Sequence, residues 1–192
     1  MPDESLEDLA AELLELLVAH VGEPEELYAL AYDGYAVVDI DEADADDPLC
    51  RVLCPPTSSE AVRAAEESLG FSLPPLLHAV YTRIGNGGLA LGLIGLEGGQ
   101  TGDDLFPGMS VVEIYRSLEE WRQAGKLTYL PPRLLAINDA LGCGMVDYVD
   151  CRTAAGKIWR TDSGQLIERQ PNLRIYLHDA IMRYRSIVER PA

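Results

Sequence analysis

Apolar residues recur at helical spacing in five stretches of this chain, and at strand spacing in a run of short segments before the last of them. Pro55 to Gly88, PPTSSEAVRAAEESLGFSLPPLLHAVYTRIGNGG, is the most sharply punctuated part. Thr57 and Glu60 have capping-box spacing, which predicts a helix start. Val62, Ala65 and Leu69 then share one helical face, with Arg63, Glu66 and Glu67 elsewhere. Gly70 stands where a helix ends in the left-handed region, and Phe71 where a Schellman contact folds back. Pro74 and Pro75 cannot continue a helix but can begin one, because a first-turn N–H has no partner to lose. Leu76, Leu77, Val80, Tyr81 and Ile84 stripe the second helix, and Gly85-Asn86-Gly87-Gly88 ends it.

Upstream, Ser5 and Asp8 cap a helix whose Leu6, Leu9, Leu13, Leu16, Leu17 and His20 share a face, while Glu7, Glu12 and Glu15 lie off it. Gly22 and Pro24 stop that helix. LYALAYDGYAVVDID reads as a hairpin, with Asp33-Gly34 in a type I′ turn. LCRVL reads as a strand with Cys50, Val52 and Cys54 on one face, and LALGLIGLEGG as a glycine-weakened extended segment. Ser110 caps a helix with Val111, Ile114, Tyr115, Leu118 and Trp121 near one face, closed by Gly125. RLLAIN, GMVDYVDC, KIWRTD and QLIERQ, separated by short turns, predict an antiparallel meander. A final helix runs from Asn172 to Val188. The fold class expected is therefore α+β: a central, mostly antiparallel sheet with helices packed against it.

Composition changes this picture in one respect. A chain of 192 residues that is 47% hydrophobic can bury a real core, and no linker forces two domains. No stretch approaches the roughly 18 apolar residues of a membrane span. The acidic N-terminus lacks the basic region of a signal peptide, and four scattered cysteines do not make a secreted disulfide scaffold, so a reduced, cytoplasmic setting is expected. The net charge of −17 is lopsided. Up to Glu60 there are 17 acidic residues against one basic, Arg51; beyond it, 15 acidic face 14 basic. Such a field disfavours nucleic acid and anionic membrane, and it steers cationic protein partners. The division expected is an acidic helix-and-hairpin extension, residues 1–48, packed on a main domain, residues 49–192.

Candidate chemistry is thin. The acidic run from Asp39 fails as an EF-hand: its sixth residue is Asp44, not glycine, and its twelfth is Cys50, not glutamate; counting from Asp41 gives Asp46 and Val52. Cys50, Cys54, Cys143 and Cys151 contain no C-x₂-C pair and read as buried, reduced thiols rather than a zinc site. His20, His78 and His178 each fall inside a predicted helix with no nucleophile motif beside them. Asp139, Asp147 and Asp150 could pair as acid and base, but carboxylates are too common here for that to signify. Neither catalytic residues, cofactor nor metal are expected.

The order of LGFSLPPLL, Tyr81 and IGNGG, followed by LPPRLLAINDALGCGMVDYVDC, resembles the SUKH superfamily, the Smi/Knr-type domain, from about Leu49 to Asp162. The resemblance implies an α+β fold and motifs that are chiefly structural. It also implies either a bacterial immunity protein that neutralises a toxin, or a scaffold or regulatory protein-interaction domain without a toxin partner. The position near Ala140, usually aromatic in that family, is small here, and the acidic segment before Leu49 lies outside the resemblance. Charge and resemblance together point to stoichiometric occlusion of a basic toxin domain, a nuclease being suitable. The partner-binding residues expected are Asp41, Asp44, Asp46 and Asp47, with Asp103 and Asp104 as a second patch. The scaffold alternative would use the sheet face or the Gly85–Gly99 region.

Overall fold

A computed structural model of the chain describes residues 5–30, 51–99, 101, 105–139, 145–162 and 165–188, the last four without their side chains. Among these residues, six helices surround one antiparallel sheet. The helices are α1 (Leu6–His20), α2 (Pro24–Leu27), α3 (Ser59–Leu69), α4 (Pro75–Arg83), α5 (Val111–Gln123) and α6 (Leu173–Val188). The strands are β1 (Leu134–Asn138), β2 (Val146–Asp150), β3 (Ile158–Asp162) and β4 (Gln165–Gln170), paired in sequence order as expected of a meander. Of the hairpin expected over LYALAYDGYAVVDID, the first residues are not strand, because Leu27 ends α2 and Tyr28 and Ala29 form a turn after it; the remainder, with Asp33-Gly34, lies outside the described residues.

Local chemistry sets most boundaries. Ser5 caps α1 in a capping box with Asp8, and Ser110 caps α5 in one with Glu113. The cap of α3 is Ser58, not Thr57: the Ser58 hydroxyl accepts from the Ala61 amide at 3.1 Å, while the Thr57 amide donates to the Tyr81 carbonyl. Gly70 closes α3 at φ 77°, and Phe71 then meets the ring of Tyr115 edge-on at 5.1 Å. Pro75 opens α4, where a missing N–H costs nothing. Pro24 likewise starts α2 rather than merely ending α1.

One hydrophobic core joins all the layers. Val62, Ala65 and Leu69 of α3, and Leu76, Leu77, Val80 and Tyr81 of α4, enter it as their spacing requires. The stripe of α1 is Ala10, Leu13 and Leu17; Leu6 is exposed. Trp121, expected on the inner face of α5, is 47% exposed, because Val111, Ile114, Tyr115 and Leu118 already fill the contact with α3 and β1. α1 packs across α4 and α6, bridging distant parts of the chain.

Neither the strand expected at LCRVL nor the extended segment expected at LALGLIGLEGG is a strand among the described residues. Val52, Leu53 and Cys54 are all buried, so this part of the segment does not alternate, and no strand among the described residues includes it. Its backbone bonds instead to the glycine loop: Cys54 N–H to Gly87 O at 3.0 Å, and Ala90 N–H to Val52 O at 3.0 Å. LALGLIGLEGG folds into turns, with a bridge between Gly88 and Leu93. Gly88 permits the approach: its φ is 135°, and a Cβ there would lie 2.6 Å from the Leu53 Cα.

Candidate functional site

The expected contact residues Asp41, Asp44, Asp46 and Asp47, and the second patch Asp103 and Asp104, all fall outside the described residues. So do Cys50 and Cys143; of the described cysteines, Cys54 is buried and Cys151 half-buried. Burial pushes the Cys151 thiol up to about 12, so it stays protonated and unreactive at neutral pH.

What the described residues do display is acid held on ordered helix. Residues 5–30 contain no lysine or arginine, and Glu7, Asp8, Glu12, Glu15, Glu23, Glu25 and Glu26 are all exposed. Their positions follow from the amphipathic period, which sends the leucines of α1 inward and the carboxylates out. Glu7 reaches Arg83 of α4 at 3.2 Å and Glu12 reaches Arg174 of α6 at 2.5 Å, fixing α1 at both sides. Glu15, Glu23, Glu25 and Glu26 make no ion pair among the described residues. The stretch without a basic residue before Arg51 was the available signal. In the sequence alone the glutamates of α1 mark only a solvent face. Beside them, α1 and α6 enclose an open groove of about 600 Å³, with Leu16, Ala19 and Ile175 along it and Glu12, Glu15 and His178 among its polar groups.

Behind this surface, polar side chains hold strands and loops together. Asp147 is fully buried and accepts from Arg160 at 2.7 and 2.9 Å and from Arg169 at 2.6 Å. Burial pushes its carboxyl up, against the pull of Arg160. Tyr176 lies beneath the Arg169 guanidinium and donates its hydroxyl to Gly92 O at 2.8 Å; Tyr81 does the same to Ile94 O at 2.7 Å. Asn86 completes the support of this loop: its Oδ1 accepts from the Leu96 amide at 2.7 Å. Gly95 and Gly99 press so closely on Asn86 that a Cβ at either would overlap it. The Asn86 amide and the two tyrosine hydroxyls thus hold a buried loop that lacks a strand ladder.

The three aspartates suggested by the sequence are each engaged separately. Asp139 accepts from the Phe106 amide at 3.0 Å, and Asp150 is gripped by Arg152 through bonds of 2.6 and 2.8 Å, which holds its carboxyl low. Asp147 and Asp150, three apart on β2, point to opposite faces of the sheet. His20, His78 and His178 lie on three different helices, α1, α4 and α6. No group of three or more potential ligands is placed to hold a metal ion among the described residues, and no helix there is long and apolar enough to cross a membrane.

A comparison with curated proteins gives no match. A family model, the SMI1 / KNR4 family (SUKH-1), matches residues 56–179. That span holds α3, α4, the supported glycine loop, α5 and the entire sheet, and it leaves the acidic α1 and α2 outside. With well over half of its length matched, the chain belongs to the SMI1 / KNR4 family (SUKH-1).

Proposed function

We propose that this protein is an immunity-like, non-catalytic inhibitor that binds a cationic toxin domain, a nuclease among the suitable targets, and neutralises it by stoichiometric occlusion. The observation that carries this reading is the exposed acid of α1 and α2, with no lysine or arginine anywhere in residues 5–30. A nuclease groove is cationic because it must hold phosphates, and an acidic surface competes for the same field. In this reading residues 1–48 are a specificity-bearing extension packed on a 49–192 scaffold. Asp41, Asp44, Asp46 and Asp47 extend the surface, Asp103 and Asp104 form a second patch, and the protein acts in the cytoplasm.

The scaffold alternative is weakened at one of its two surfaces. From Gly85 to Gly99 every residue except Leu89, Gly92, Glu97 and Gly98 is buried, so most of that stretch offers little to a partner. The test is co-expression with toxin domains encoded beside the gene, followed by titration calorimetry of any complex at several salt concentrations. Neutralisation at one-to-one stoichiometry, weakened by reversing Asp41, Asp44, Asp46 and Asp47 to lysine, supports the proposal. Unchanged affinity and an unchanged salt slope after that reversal overturn the acidic-loop part of it. Absence of any neutralised toxin overturns the whole.

A further inference from the structure

We infer that the groove between α1 and α6 is a docking cleft for a cationic amphipathic helix of the partner, an inference that rests on the toxin-binding reading and gives it a location. The groove has an apolar line, and on its rim Glu12 and Glu15 stand with Arg174 and His178. Leu16 is half-buried, Ala19 is exposed and Ile175 is 40% exposed, although each lies between two packed helices. Met182, two helical turns beyond Ile175 on α6, is also exposed at 39% and prolongs the same stripe by about 10 Å. That length matches the i, i+3, i+4, i+7 anchors by which a helix occupies a groove.

A helix fits better than an extended segment for a reason of hydrogen bonding. The walls are side chains of two α-helices whose backbone groups are already paired internally. An extended peptide laid there would find no ladder for its own amides, whereas a helix arrives with its amides satisfied. The charge selects the sign. Arg174 is already held by Glu12 at 2.5 Å, and His178 faces Asp179 at 3.7 Å. Glu15 makes no ion pair among the described residues, and Asp8, two turns before it, continues the acid along α1, while Glu7 is turned to Arg83 of α4. An incoming Lys or Arg opposite Glu15 therefore meets an uncompensated carboxylate, whereas an acidic helix would be repelled.

The probe is an amidated leucine–lysine peptide of about 15 residues, near the length at which isolated helices become viable, with a permuted peptide of the same composition that cannot form one apolar face. Binding to the full chain is measured by fluorescence anisotropy at fixed salt. Glu15→Gln and Ile175→Asn should each weaken the amphipathic peptide by about tenfold, and the permuted peptide should bind at least that much more weakly. Glu25→Gln removes the same charge on α2 and should change affinity by less than about twofold. Both Glu15 and Ile175 are solvent-accessible, and circular dichroism of each variant confirms the fold. Equal effects of Glu15→Gln and Glu25→Gln, with none from Ile175→Asn, overturn the cleft. The same variants are then titrated with a toxin domain that the protein neutralises. Tight toxin binding unaffected by Glu15→Gln and Ile175→Asn overturns the cleft while leaving the inhibitor reading intact. Groove-dependent peptide binding without any neutralised toxin supports the cleft and removes the toxin reading.

Discussion

Asp147 offers the most direct check on how this fold is held. Asp147→Asn keeps the side-chain shape and removes the charge that two arginines share. The carboxylate is fully buried, with bonds of 2.7 and 2.9 Å from Arg160 and 2.6 Å from Arg169. Removing one partner of a buried ion pair costs about 3–5 kcal/mol, most of it from the charge left behind. The Arg160 and Arg169 side chains retain 17% and 16% exposure, so each stranded guanidinium can regain part of its hydration. That places the expected loss near the lower limit, about 3 kcal/mol, a large share of a typical total of roughly 5–15 kcal/mol. Urea unfolding, followed by circular dichroism and by the fluorescence of Trp121 and Trp159, should show a midpoint lower by about 1–2 M with an unchanged slope. A double-mutant cycle with Arg160→Gln should return a coupling above about 1 kcal/mol. A loss below about 1 kcal/mol at unchanged slope, or additive single effects, would refute the claim that this triad supports β2, β3 and β4 together.

Three further outcomes follow from the same structure. Gly88→Ala forces a Cβ to within 2.6 Å of the Leu53 Cα at a φ of 135°, and should cost about 3 kcal/mol or more, read as a lowered melting temperature. Glu113 is held below its ordinary value chiefly by the Ser110 amide, so its stabilising contribution is present above pH 4.5 and is lost as pH falls through the folded value; Glu113→Gln should flatten that acid limb and cost a few tenths to about 1 kcal/mol at neutral pH, measured by denaturation across pH. In a Cys50→Ser, Cys143→Ser background, Cys54 and Cys151 should react with a thiol reagent only as fast as the protein unfolds, since Cys54 is buried and Cys151 is protonated; immediate stoichiometric reaction would contradict this.

The sequence revealed elements wherever short-range chemistry decided them. Gly70, Pro75, Ser110 and the meander's turns carry their instructions within a few residues, and the structure follows them. Ser58 displaced Thr57 because two hydroxyls in a row offer the same cap, and only the route of the Thr57 amide to Tyr81 decides between them. LCRVL and LALGLIGLEGG have strand-like composition, yet among the described residues their backbone bonds go to scattered partners, Ala90 to Val52, Val52 to Leu30, Ile94 to Ile137 and Leu96 to the Asn86 side chain, so no periodicity announces the outcome. Asp147 looked like one acid among 32; its burial became visible only when Arg160 and Arg169 were brought to it across two strand pairings. The acidic surface was legible as a count, but its display by α1 and α2 depended on which leucines found a core.

The bridge between Glu12 and Arg174 spans 162 positions of the chain, and this has a consequence for how the protein is made. At about 5–20 residues per second, a ribosome completes α1 roughly 10–30 s before α6 exists to receive it. During that wait the leucine stripe of α1 has α4 for a companion but lacks the wall that α6 provides. The glutamates on its outer side then do a second job, keeping a half-docked greasy helix dispersed until the last segment emerges. Neutralising them should therefore lower the yield of soluble protein during synthesis more than it lowers the stability of the finished molecule.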